Sequence, residues 1–263
     1  MAHKIKTPIV RAVVILPTYN SGLRLVQTLR EVHAEWNSVW VVSDGGTDGS
    51  DRQAESLGLE GVRVLRLESN SGKGAAVLHA LRLAEVSGFT HALVMDADGQ
   101  HPAAMIKPFV GVAEKHPAAF VCGVPIFGPD APLERVRGRL VGNFFATVET
   151  LGLGVKDSLF GFRLYPLKPA IEIMESIKGA RRFDFDTVLA VRLTWLGLPC
   201  INIPVPVTYP PRSEGGVSHF RYLRDNLLLT AAHVRLLLEL PFRLKELFSL
   251  RRQLACEGLR MSQ

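Results

Sequence analysis

Cysteine is scarce in this chain: Cys122, Cys200 and Cys256 are the only three among 263 residues, and they are widely scattered. That spacing supplies neither a zinc site nor a disulfide framework, and it suits a reducing cytoplasm. No apolar run reaches the ~18–20 residues that a membrane span requires. The first eight residues carry basic side chains but no apolar h-region or cleavage site, which reads as no signal peptide. Aromatic residues do not interleave with basic ones, which leaves nucleic acid the weakest of the partners open to a basic chain. Two glycine-rich nucleotide signatures are missing as well. Pro17-Thr-Tyr-Asn-Ser-Gly follows the first strand where a dinucleotide fold needs G-x-G-x-x-G, and Asn70–Gly74 lacks the full G-x-x-x-x-G-K-[ST] spacing. Internal repeats and low-complexity linkers are also absent.

What is present is ordinary globular material, 47% hydrophobic and 21% charged, enough for a substantial core. The net charge of +6 is compatible with a phosphorylated substrate or an anionic membrane surface. Short β-branched runs at 9–16, 39–42, 62–67 and 92–95 alternate with helical patterns at 23–36, 53–57, 75–86 and after Pro102. This alternation predicts a mostly parallel sheet covered by helices. A further strand near 119–124, a helix over 133–151, a Pro-rich strand at 201–207 and a Leu-rich helical stretch at 220–250 complete the chain.

Ligands of open α/β sheets bind beyond the carboxyl ends of the strands. Each of the first four strands is followed there by a polar cluster: Pro17–Asn20, Ser43–Ser50, Asn70–Gly74 and Asp96-Ala97-Asp98. At the last of these, Asp98 and Gln100 can both face a cavity and offer the hard oxygen ligands that suit Mg²⁺ or Mn²⁺. Asp98-Gly99 reads equally well as a plain turn. Lys73 stands at a helix start, where the helix dipole adds to its charge toward an anion. Phe160, Phe162 and Tyr165 read as core rather than as an acceptor wall.

In order, P-T-Y-N, D-G-x-T-D-G-S, N-x-G-K-G-A, D-A-D-G-Q-H-P, D-x-x-x-G-F-R-L-Y and F-D-F-D-T resemble the family 2 glycosyltransferases of GT-A fold. The resemblance covers about residues 10–220 and is nearest to the dolichol- and polyprenyl-phosphate mannosyltransferase branch. It implies that Pro17, Tyr19 and Asn20 border the base and ribose, and that Asp44 hydrogen-bonds the base. Lys73 would sit near the nucleotide and Asp96 at the ribose or metal shell. Asp98 and Gln100 would bind the metal bridging the diphosphate of a GDP- or UDP-linked sugar, and Arg212 would meet phosphate. Ser43 replaces the first Asp of the usual D-D-G-S, Val188 stands where many relatives have Glu, and His219 stands where those mannosyltransferases carry Lys.

The reading that follows is a metal-dependent, inverting glycosyltransferase whose acceptor is a polyprenyl phosphate, another lipid or a soluble glycan. A phosphate acceptor needs no general base, whereas a hydroxyl acceptor does. Asp157 is then the first candidate, with Asp184 and Asp186 behind it, although Asp157 reads equally as a helix cap or a partner of Arg163. Residues 1–217 form the expected catalytic domain and 218–263 a helical C-terminal extension. From Arg212 to Arg252 eight basic residues face four acidic ones, and Arg221–Asp225 and Arg235–Glu239 mark a polar, exposed helix face. The extension can lie on an anionic bilayer as a peripheral anchor at the cytoplasmic face, pack on its own domain, or form a homodimer. The competing readings are a nucleotidyltransferase and a degenerate glycosyltransferase-like domain that binds without turnover.

Overall fold

The computed structural model describes residues 9–128, 133–177, 179–207 and 222–256. The chain opens as β1 (Ala12–Thr18), α1 (Gly22–Glu35), β2 (Val39–Asp44), α2 (Ser50–Ser56), β3 (Val62–Leu67), α3 (Lys73–Val86) and β4 (His91–Val94). It continues through α4 (Ile106–Lys115), β5 (Phe120–Phe127), α5 (Leu133–Glu149), β6 (Arg163–Pro166), α6 (Leu167–Ser176), α7 (Phe185–Trp195) and β7 (Cys200–Val207). Helices α8 (Tyr222–Glu239) and α9 (Leu244–Cys256) follow, joined by a 3-10 turn at Leu240–Arg243.

The seven strands form one sheet in the order β3-β2-β1-β4-β6-β5-β7. Central β1, β2 and β4 are buried on both faces, which is why they read as continuous apolar runs rather than alternating ones. Val13 and Ile15 enter one core, with α3, α6 and α7; Val14 and Leu16 enter the other, with α1 and α4. The edges are marked in the sequence. Arg63 and Arg66 face solvent from β3, and the exposed Pro204 and Pro206 lie on β7, where a missing N–H is tolerated.

Strand β6 departs from the simple alternation. It runs antiparallel to both β4 and β5, with Val94 opposite Arg163 and His91 opposite Pro166. A reversed strand presents its start, not its end, at the carboxyl edge of the sheet. Gly161, Phe162 and Arg163 therefore arrive beside Asp96, although sixty-odd residues of chain separate them.

The C-terminal helices share the main core. Leu236, Leu247, Leu250 and Leu254 pack in the same cluster as α3, α6 and α7. The expected boundary at 217/218 lies outside the described residues, as does Arg221. The expected exposed polar face of α8 holds at Arg235 but not at Asp225, which is buried, as is His233, whereas Leu223, Leu227 and Leu238 face outward. The polar groups are inside because they have partners there. His233 Nδ1 lies 2.8 Å from Glu149 Oε1, Asp225 receives the Arg224 Nε–H at 2.9 Å, and Glu239 pairs with Arg192 at 2.6 Å.

Candidate active site

Three loops are tied together beyond β1, β2 and β3. Asn20, in the left-handed region at φ 49°, accepts the backbone N–H groups of Thr47 (2.7 Å) and Asp48 (3.3 Å) through Oδ1. Asp48 returns the link, accepting the Gly22 N–H at 2.8 Å and the Ser50 N–H and hydroxyl. Burial alone would raise the Asp48 pKa, but these hydrogen bonds outweigh it and hold the carboxyl below its usual range. Asp44, buried at the end of β2, accepts the N–H groups of Ser71 (2.7 Å) and Gly72 (2.8 Å), one on each oxygen. Each oxygen keeps a second lone pair for a ligand. Gly45, at φ +67°, permits this closeness: a Cβ there would lie 2.5 Å from the Asn70 nitrogen. Pro17 is buried opposite Val42 and Tyr19 is half-buried at the mouth of the same loops.

The centre of the site is an ionic trio. Lys73 Nζ, at the first residue of α3, lies 2.6 Å from Asp96 Oδ1 and 3.1 Å from Asp186 Oδ2 in the first turn of α7. Burial disfavours the ammonium, but the two carboxylates outweigh it and raise its pKa above the ordinary lysine value. Burial likewise pushes the Asp96 pKa up, and Lys73 more than cancels this, leaving it lowered. Lys73 is thus neutralised by its own protein and holds Asp96 in place. His101 supports the trio from behind. Its Nδ1 accepts the Asp96 N–H at 3.1 Å, its ring packs edge-on against Phe160 and Phe162, and burial pushes its pKa down to about 4. Phe160, Phe162 and Tyr165 are all buried core residues, as expected.

Gly161 is the position the trio requires to be bare. A Cβ there would lie 2.7 Å from Lys73 Nζ and 2.9 Å from Asp96 Oδ2. Gly161→Ala is expected to lower turnover by about a hundredfold, the scale of effect of an ångström of misplacement. Its melting temperature should fall only a few degrees, for overpacking of ~1–3 kcal/mol. Steady-state kinetics beside a thermal melt check this; wild-type kinetics would show that the trio tolerates displacement.

Asp98 and Gln100 occupy the turn after β4, both partly exposed. The turn reading holds here. Asp98 Oδ1 accepts the Gln100 N–H at 3.0 Å, and this local bond orients the carboxylate at the sheet edge. Among the described residues no group of three or more His, Cys, Asp or Glu side chains could cage a metal. Two oxygen-bearing side chains beside a neutralised Asp96 fit a hard divalent cation that takes its other ligands from diphosphate and water.

On the β5 side, Asp157 is 3% exposed. Its Oδ1 meets Arg139 Nη1 at 2.7 Å and the Leu159 N–H at 3.0 Å, and its Oδ2 receives the Asn143 amide at 3.4 Å. The partner of its carboxylate is therefore Arg139, not Arg163. Arg163 is fully buried and donates instead to the carbonyls of Asp157, at 2.9 Å, and of Asp186, so it ties the Asp157 loop to the first turn of α7. Asp184, just before α7, accepts the Arg182 N–H, and burial raises its pKa. Arg212 and His219 lie outside the described residues; Val188 is core. Sequence reasoning missed Arg139 and Asn143, which sit one turn apart in a helix with no motif around them; only their fold contact with Asp157 reveals them.

The model of the family "Glycosyl transferase family 2" matches residues 13–174, more than half of the chain. The chain belongs to glycosyltransferase family 2. It is 29% identical over 218 residues to glycosyltransferase AglJ of Haloferax volcanii, covering 81% of this chain and 67% of that one. It is 27% identical over 219 residues to the polyprenol monophosphomannose synthase of Mycolicibacterium smegmatis, covering 80% and 81%. Its fold is like that of glucosyl-3-phosphoglycerate synthase from Mycobacterium tuberculosis, solved with Mn²⁺, UDP-glucose and phosphoglyceric acid. That match has TM-score 0.57 at 18% identity, over 88% of this chain and 79% of that one.

Family membership makes the chain a glycosyltransferase of GT-A fold, akin to the dolichol- and polyprenyl-phosphate branch, and sets the nucleotidyltransferase reading aside. Among the described residues of this family 2 chain, no helix is long and apolar enough to cross a membrane.

Proposed function

We propose that this chain transfers a sugar, with inversion, from a GDP- or UDP-linked donor to the phosphate of a lipid-linked acceptor, and that it depends on Mg²⁺ or Mn²⁺. The observation that carries the proposal is the convergence of Asp44, the Lys73–Asp96–Asp186 trio and Asp98 at one sheet edge, with Arg139 facing them from α5. The name of the mycobacterial relative, a polyprenol monophosphomannose synthase, supports the choice of acceptor.

In this reading Pro17, Tyr19, Asn20 and Asp44 border the nucleoside, and Asp98 and Gln100 hold the cation, with Asp96 beside them. Such a cation, when bound, offsets the negative charge that develops on the leaving diphosphate. Lys73 and Asp186 are positioning residues: they keep Asp96 ionised and immobile. Arg212 contacts the donor diphosphate. An acceptor phosphate, with its second pKa near ~6, is ionised at neutral pH and attacks the anomeric carbon directly. The new bond runs from phosphate oxygen to that carbon, and the bond to the diphosphate oxygen breaks, releasing nucleoside diphosphate. No proton needs removal, so Asp157 is free to serve by holding Arg139, whose guanidinium edge suits an acceptor phosphate. The three free thiols support a reducing compartment, hence the cytoplasmic face of a membrane.

Thermal stability against a panel of GDP- and UDP-sugars, each with and without Mn²⁺, tests the donor. A ligand at a hundredfold excess over its Kd stabilises by ~2.7 kcal/mol. A metal-dependent shift with one nucleotide class is expected, with release of that nucleoside diphosphate once a polyprenyl phosphate is added. No shift with any donor would favour a domain that has lost turnover.

A further inference from the structure

The turn before α7 is pressed onto the loop before α3. Ala75 donates its N–H to the Arg181 carbonyl at 3.1 Å, and bare positions at Gly72 and Gly74 make room for the contact. A Cβ at Gly74 would lie 2.7 Å from the Phe185 Cβ, and one at Gly72 would lie 2.8 Å from Arg182 Cγ. Ala180, in the pressed turn, is left-handed at φ 51°, which strains a residue that carries a Cβ. The packing holds the stem of Arg182 against the loop that Asp44 organises.

Arg182 has what its neighbours lack, an uncommitted charge. Lys73 lies between Asp96 and Asp186, Arg66 is paired with Asp51 and Glu55, and Arg181 Nη1 donates to the Met174 carbonyl at 2.8 Å. Asp184 accepts the backbone N–H of Arg182 at 3.1 Å and feels its guanidinium only through space. The guanidinium itself enters no hydrogen bond or ion pair with a described residue, and Arg182 is partly exposed. An arginine whose stem is packed keeps its head toward solvent. Here that side is the carboxyl edge of the sheet, where open α/β folds bind their ligands. Gly72, against which the stem lies, donates its own N–H to Asp44 Oδ2 at 2.8 Å. The guanidinium is thereby tethered within a side-chain length of the Asp44 carboxylate.

A carboxylate beside a guanidinium is a hydrogen-bond acceptor beside a donor. Guanine O6 and uracil O4 are acceptors, whereas adenine and cytosine carry an amino donor at the equivalent position. In the keto bases the ring nitrogen next to that carbonyl bears a hydrogen; in the amino bases it bears a lone pair. We propose that Arg182 is a specificity-determining residue of the donor site, donating to the ring carbonyl of a keto base whose adjacent N–H is accepted by Asp44. The inference rests on the placing of the nucleoside at Asp44 proposed above and adds how the base is chosen. Adenine or cytosine would set its amino group against the guanidinium and its lone pair against the carboxylate. Both protein groups would then lose their partners, which is how a polar site rejects a near-isostere.

Isothermal titration calorimetry of the full chain with GDP, UDP, ADP and CDP, at one fixed Mg²⁺ concentration, tests this. The wild type should bind one keto nucleotide about tenfold or more tighter than the amino nucleotide of the same ring size. Whichever of GDP and UDP binds tighter names the base. Arg182→Met should weaken that keto nucleotide by about tenfold and leave its amino counterpart nearly unchanged, so the ratio collapses. Arg182→Lys, which keeps a donor, should restore part of it. The ratio is read on folded protein, and a general loss of stability does not imitate its collapse. An equal loss for all four nucleotides would assign the guanidinium to the phosphates and overturn the proposal. Unchanged binding in Arg182→Met would overturn it too, while leaving the donor reading intact. A wild type that binds none of the four would take the donor reading down with it.

Discussion

Asp98→Ala is expected to lower kcat/KM for the donor by about a thousandfold in the presence of Mn²⁺. The effect is large because the carboxylate would hold the cation against the leaving diphosphate, and Lewis-acid stabilisation of that charge is worth several kcal/mol, ~4 kcal/mol for three decades of rate. The neighbouring carboxylates are already engaged. Asp96 is bound to Lys73 at 2.6 Å, and Asp157 is engaged by Arg139 at 2.7 Å. Asp98 is partly exposed and accepts the Gln100 N–H, a bond worth about 1 kcal/mol. Kinetics and a donor-free melt on the same preparation separate the two effects. A variant within tenfold of wild type would remove Asp98 from the metal site and point to a cation held by substrate alone.

Lys73→Met is expected to act on stability first. Lys73 and Asp186 are deeply buried, at 11% and 5% side-chain exposure, and Asp186 Oδ1 already has no hydrogen-bond partner among the described residues. Removing the ammonium strands two carboxylates together, a loss of ~3–5 kcal/mol for a broken buried pair. For a domain of this size that lowers the melting temperature by roughly 10 °C. Because the damage is an uncompensated charge rather than a lost contact, Lys73→Met/Asp186→Asn should recover a good part of it. A single variant that melts like wild type would mean that solvent or a rearranged partner neutralises the carboxylates, and the positioning role of Lys73 would fall with it.

Much of the site was legible because parallel α/β sheets write it in a regular place. Apolar runs such as Val39–Val42 stop where the strand stops, and the polar residues that follow lie at the sheet edge whatever their later partners. Asp44, Lys73, Asp96 and Asp98 were placed at the sheet edge this way. The reversed strand was not legible. Arg163–Pro166 is four residues long, starts with an arginine buried against two carbonyl groups and ends in proline, so it shows neither alternation nor an apolar run. Helix α8 misled for a related reason. Its leucines occur on two opposite faces, and periodicity cannot tell which of them is inside when the polar residues have buried partners on other helices.

The order of elements through β4, the direction of the first four strands and the placing of polar clusters at their carboxyl ends were determined by the sequence itself. Local burial and turn chemistry are enough to dictate them. Which group partners which was decided only by the tertiary structure. Lys73 meets Asp186 across more than a hundred residues, Gly161 gives them room because β6 runs backward, and Arg139 rather than Arg163 takes the Asp157 carboxylate. Ion pairs and close approaches depend on distances of a few ångströms between remote segments, and those distances exist only once the helices have packed on the sheet.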